Sequence, residues 1–256
     1  MAGHLVSEGE QAANEARQAL GLGLDAPISV LAAVEDLAGI PVCVAEFDPD
    51  VAGLFIRRHG RHYVFVNGTH SVERQRFTLA HEYGHSRMNH APRVESTDRM
   101  YSKDPQEVAA NYFAGAFLAP RQAVRNWVER HPDLDVDLEM VVRVAAFFGT
   151  SAEVSRIRLE KAGVLTTTAS NRLKQRIKDT EHYGMLARIG ISGYADALSR
   201  LRRDVETEVR TLPRLPSNMV RKAREAADQD LVEQDELEAL LRGTPVADEA
   251  EDELSR

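Results

Sequence analysis

The sequence predicts an α+β fold, mainly helical, with a small antiparallel three-stranded sheet and a helical C-terminal extension. Two observations carry this expectation. Three short runs rich in Val, Ile, Phe or Tyr follow one another at 42–47, 52–58 and 62–67. Helical patterns flank them, at 7–20 and 28–38 on one side and from Arg76 onward on the other. The 256 residues, 43% of them hydrophobic, make either one large or two modest domains and are enough for a sizeable core.

In chain order, Ser7 can cap the first helix and Gly21-Leu-Gly23 ends it. After Gly39 the pattern changes to β, and Cys43, between two valines, reads as a buried strand residue. His59-Gly60-Arg61 supplies a tight turn between the second and third strands. The sheet then runs directly into a helix. It can simply pack there, and an exposed edge strand can also hold an extended peptide through main-chain hydrogen bonds.

That helix, RFTLAHEYGHSRMNH from Arg76 to His90, contains an HExxH at His81–His85. On a helix His81 and His85 stand one turn apart on the same face, so both imidazoles can reach one metal ion. A catalytic zinc site takes three protein ligands and leaves a fourth position for water. Glu82, beside the ion but not bound to it, is then placed to take a proton from an activated water and hand it to a leaving amine. An accidental HExxH occurs in roughly one chain in a hundred of this length. The apolar approach through Phe77, Leu79 and Ala80, unbroken before Pro92, favours the metal site.

The third ligand should come from a further helix. Asp104 and Pro105 form a helix start, and an Ala-rich run extends from there to Leu118 before Pro120. Glu107 lies in the first turn, far enough beyond His85 for a loop and a return to the metal. The alternative is a carboxylate that only complements the helix dipole, and Glu95 and Asp104 are the next candidates. Asn111, one turn on from Glu107, can accept the outer N–H of a ligating histidine.

The combination RFTLAHEYGH, a following ExxAN on an Ala/Phe-rich helix, and a closing LAP resembles the ImmA/IrrE family of metallo-endopeptidases, gluzincin-like proteins related in motif logic to thermolysin. The resemblance covers about residues 8–165 and implies a zincin-like catalytic domain. By motif it implies that His81, His85 and Glu107 hold one Zn2+ per chain, with Glu82 as general base. It implies a protein substrate, a helix-turn-helix transcriptional repressor, released from phage, mobile-element or stress-response genes by cleavage. Tyr83 stands where the pattern usually has an aliphatic residue, and AGAFLAP replaces the commoner AAELLMP; these departures bear on substrate fit rather than on zinc. An oxyanion donor is not singled out, since His62, Tyr63, His90, Tyr101 and Tyr112 are all within reach. By default His90 is a solvated helix-end histidine and Tyr112 a core residue.

Residues 137–162 form a helix-turn-helix outline with Arg156, Arg158 and Lys161 on the second helix. Packing on the catalytic domain is the preferred reading, and Glu153 and Glu160 argue against DNA. The expected division is 1–165 for the metallopeptidase domain, 166–242 for a helical appendage that recognises a partner or buttresses the core, and 243–256 for a disordered acidic tail. A net charge of −8 and pI near 5.6 argue against direct nucleic-acid binding. With a single cysteine and no stretch of about 18 apolar residues, a cytoplasmic protein away from membranes is expected. Two other readings compete: a regulator that binds DNA or a repressor and keeps a zinc site with little turnover, and a structural metal module in which Glu82 has no purpose.

Overall fold

The computed structural model describes residues 2–91, 93–96, 104–191 and 217–229. Helix α1 (Ala2–Ala19) is followed by a short α2 (Val30–Ala32) that runs on as a π turn, Ala33–Leu37. Strands β1 (Val42–Ala45), β2 (Val51–Arg58) and β3 (Arg61–Asn67) lead into α3 (Val72–Arg87), then β4 (Arg93–Ser96) and α4 (Pro105–Leu118). The chain continues through α5 (Arg121–Glu129), α6 (Leu138–Phe148), α7 (Ala152–Lys161), α8 (Thr167–Lys178), α9 (Glu181–Arg188) and α10 (Ser217–Ala227). The expected tail at 243–256 and Tyr101 lie outside the described residues. Among those described, no helix is long and apolar enough to cross a membrane.

The α+β class is as expected, and all three expected strands are present, but the sheet is mixed and gains a fourth strand. Its order is β1-β3-β2-β4, with β1 parallel to β3 and β2 antiparallel to both neighbours. His59 and Gly60, at φ +49° and +74°, make the two-residue turn between β2 and β3. The parallel pairing depends on a crossing loop held from one buried side chain. Asn67 donates to the carbonyls of Phe47, Asp48 and Val51 and accepts from the Phe47 and Thr69 N–H groups. β4 has one apolar residue in Arg-Val-Glu-Ser, so its pairing with β2 leaves no pattern in the sequence. Cys43 is half-buried rather than buried.

Two apolar clusters lie in series. The first joins α1, α2, the sheet, α3 and α4; the second joins α5 to α9. Three buried arginines close the helix ends around them. Arg17 donates to the carbonyls of Phe117, Gly23 and Ala26, Arg76 to those of Gly149 and Ile28, and Arg158 to that of Ala119 and to the Glu10 carboxylate. Charged donors here satisfy the carbonyls of Phe117, Ala119 and Gly149, which the ends of α4 and α6 leave without intrahelical partners, and loop carbonyls between α1 and α2. Burial lowers the Arg17 pKa to about 10 against an opposing effect of Asp25.

The helix-turn-helix outline is realised as α6, Gly149 in the left-handed region, and α7 capped by Ser151, whose hydroxyl accepts from the Val154 N–H. Its cations are engaged within the fold. Arg158 is buried as described, and Arg156, also buried, holds Glu153 and the Ser170 hydroxyl.

Candidate metal centre

Helix α3 is enclosed on nearly all sides, with Gln75, Arg76 and Thr78 through Ser86 buried. Small residues let its neighbours approach. A Cβ on Gly53 of β2 would stand 2.6 Å from the Thr78 side chain and 3.7 Å from Glu82 Cγ. A Cβ on Gly84 would stand 2.8 Å from the Phe113 ring of α4. The side of α3 carrying Glu82 is thus covered by the sheet, and the side carrying Gly84 by α4. β2 is an interior strand, so the sheet edge on this side is β4.

α4 starts where the sequence predicts, with Asp104 accepting from the Gln106 N–H and Pro105 at its first position. That cap role accounts for Asp104 and leaves Glu107 pointing at the histidines. His81 Nε2 lies 3.3 Å and His85 Nε2 3.5 Å from Glu107 Oε2, and the two Nε2 atoms are 3.0 Å apart. All three side chains are at most 2% exposed. These residues form the His-His-Glu group with metal-ligating geometry found among the described residues.

The donor set fits a small divalent ion. Tetrahedral ligation at about 2.0–2.1 Å requires donor atoms about 3.3 Å apart, and the three separations bracket that value. His81 Nδ1 donates to Asn111 Oδ1 at 3.1 Å, which leaves Nε2 as the ligating nitrogen.

The electrostatics suit a cation. Burial holds the His81 pKa below its ordinary value, against the hydrogen bond to Glu107, so the ring is neutral. Burial alone would raise Glu107, but its hydrogen bonding with His81 and His85 outweighs that and keeps the carboxyl below the usual carboxylate range. A carboxylate that stays ionised and a His81 ring whose burial disfavours the imidazolium both suit metal ligation, which needs deprotonated ligands.

Other expected residues have different places. Glu82 is buried beside Gly53 of β2. Tyr83 faces the core: it packs edge-on against Phe113 and Phe117 at 5.7 and 5.3 Å, so the departure at this position affects packing rather than substrate fit. His90 is buried, not a solvated helix-end residue, and its Nδ1 lies 2.8 Å from His85 Nδ1. On that outer side it is not an oxyanion donor. His62 is 2.5 Å from the Ser86 hydroxyl through Nδ1 and edge-on to Phe55. Tyr112 lies beneath Lys161. Sequence reasoning missed Gly53 and the partnership of His90 with His85; for the latter the Asn89-His90 pair at the helix end is the available signal.

None of the curated proteins compared with the chain matches it. Residues 35–160 match the family model Peptidase_M78, the IrrE N-terminal-like domain. The matched stretch begins within the π turn before the sheet and ends in α7, so it contains the sheet, α3, α4 and all three candidate ligands. The domain at residues 35–160 belongs to the ImmA/IrrE family of metallopeptidases.

Proposed function

We propose that the protein is a zinc-dependent endopeptidase that makes site-specific cuts in a protein partner, a helix-turn-helix transcriptional repressor being the leading substrate class. The observation that carries this reading is the convergence of His81, His85 and Glu107 at the donor spacing of a tetrahedral ion, with Glu82 adjacent to His81 on the same helix. When bound, zinc supplies Lewis acidity that lowers the pKa of water to about 7 and polarises a carbonyl. The residues of the chain do the rest. Asn111 holds the His81 tautomer, and the Glu82 carboxylate accepts the proton of the attacking water and returns it to the leaving amine. Burial of Glu82 under the sheet excludes bulk water, which strengthens its interaction with the reacting centre.

The preference for a repressor rests on the family likeness, as does a cytoplasmic setting, with which a single cysteine agrees. The test is incubation of wild-type protein and Glu82→Gln with repressors encoded beside the gene, with fragments read by mass spectrometry and zinc measured in both. The expected result is one or a few defined cuts by the wild type, none by Glu82→Gln, and equal zinc. A Glu82→Gln protein that still cuts would remove Glu82 from the chemistry. A wild type that binds the repressor but leaves it whole would favour a regulator without turnover.

A further inference from the structure

The helix that carries both histidines ends in a turn that serves His85. Asn89 takes φ +54°, and the His90 N–H donates to the His85 carbonyl at 2.9 Å while the Asn89 N–H donates to that of Ser86 at 3.3 Å. This is the hydrogen-bond pair of a Schellman turn with its left-handed position occupied by Asn, which tolerates that conformation better than most residues with a side chain. The Arg57 guanidinium of β2 donates to Asn89 Oδ1 at 2.9 Å and ties the turn to the sheet.

The turn has a second effect. It folds the His90 ring back against the His85 ring, with centroids 4.9 Å apart and the two Nδ1 atoms 2.8 Å apart, in a place where His90 is 9% exposed. At that distance one nitrogen donates and the other accepts. His85 faces Glu107 and His81 through Nε2. Ligation through Nε2 requires its proton on Nδ1, and His90 Nδ1 must then be the acceptor.

We infer that His90 is a positioning residue for the metal centre, which holds His85 in the Nδ1–H tautomer and fixes its ring, as Asn111 does for His81. The inference rests on the reading that His81, His85 and Glu107 hold the metal. It extends the site to the far side of His85 and assigns the helix-ending turn a role in metal affinity. A purely structural His90 would need only its shape, whereas a positioning His90 needs an acceptor at the Nδ1 position. Asparagine puts its Oδ1 at the same bond count from the backbone, glutamine puts its oxygen one bond further, and leucine keeps bulk without an acceptor.

The experiment uses the full chain as wild type, His90→Leu, His90→Asn and His90→Gln. Zinc affinity is measured by chelator competition, and the ligand geometry by the visible absorption of the Co2+-substituted protein. His90→Leu should weaken zinc binding roughly 10–100-fold and shift the Co2+ bands, and His90→Asn should restore most of both. If His90→Leu does not fold, tighter binding by His90→Asn than by His90→Gln supports the inference and equal binding overturns it. A folded His90→Leu with wild-type zinc affinity and Co2+ spectrum overturns it, as does equal weakening by Leu and Asn. Absence of zinc binding by the wild type would instead sink the metal-site reading, and this inference with it.

Discussion

Proton occupancy of the buried donors makes the metal-free protein sensitive to acid. His81 has a folded pKa below its ordinary 6.5, because burial disfavours the imidazolium. As pH falls through 6.5 the unfolded chain takes up a proton that the folded chain refuses, so stability falls. Glu107, also lowered, adds a contribution that is fully present above its ordinary 4.5 and is lost as pH falls below it. Both act in the same direction. Urea unfolding of the apo protein should therefore show a midpoint that declines from pH 7.5 to 5, and His81→Asn should flatten the part of the decline near 6.5. A pH-independent midpoint over this range would mean that the site is open to solvent in the apo protein.

At the scale of elements, the centre depends on how closely α3 and α4 approach. Gly84 would ordinarily be improved by alanine, since glycine in a helix interior costs about 1 kcal/mol. Here an added Cβ meets the Phe113 ring at 2.8 Å and its Cβ at 3.2 Å, and Phe113 is fully buried and stacked on Phe117. Overpacking of this kind costs about 1–3 kcal/mol and forces backbone shifts, so the clash outweighs the propensity gain. Gly84→Ala is expected to lower the urea midpoint and to weaken zinc binding, because the helices that part carry the two histidines and Glu107 respectively. A stabilised Gly84→Ala would show that the helix pair has slack.

At the scale of the whole molecule, the residues beyond Leu165 share a core with the ones before it. Leu173 of α8 and Met185 and Leu186 of α9 are buried against the cluster of α5, α6 and α7, and Ser170 of α8 covers Arg156 and bonds Glu160. The metal centre lies in the other cluster, linked to this one through Arg76 and Arg158. A chain ending at Leu165 should thus keep its zinc but lose stability on the order of a few kcal/mol, the scale of uncovering two or three core side chains. Equal urea midpoints for the truncated and full chains would show that α8 and α9 only rest on the surface, and loss of zinc would show that the two clusters fold as one unit.

What the sequence determined by itself is what depends on short-range geometry. The i, i+4 spacing of His81 and His85, the Asp104-Pro105 start of α4, the Ser151 cap and the His59-Gly60 turn each involve residues a few positions apart, whose relation is set once the local dihedrals are chosen. Asn111 was legible for the same reason, as the residue one turn beyond Glu107. The tertiary structure alone decided which strands pair and what lies behind the ligands. β1 runs parallel to β3 because Asn67 holds the crossing loop, and β4 joins through backbone hydrogen bonds that need no apolar pattern. Arg17, Arg76 and Arg158 look like surface charges in a sequence, yet they are buried where backbone carbonyls of helix ends and loops from distant segments accept their hydrogen bonds. His90 reads as a frayed helix end until the turn at Asn89 places it on His85. Local spacing is written in the order of residues; the partner of a buried polar group is set by where other segments pack, and that is settled only when the chain has folded.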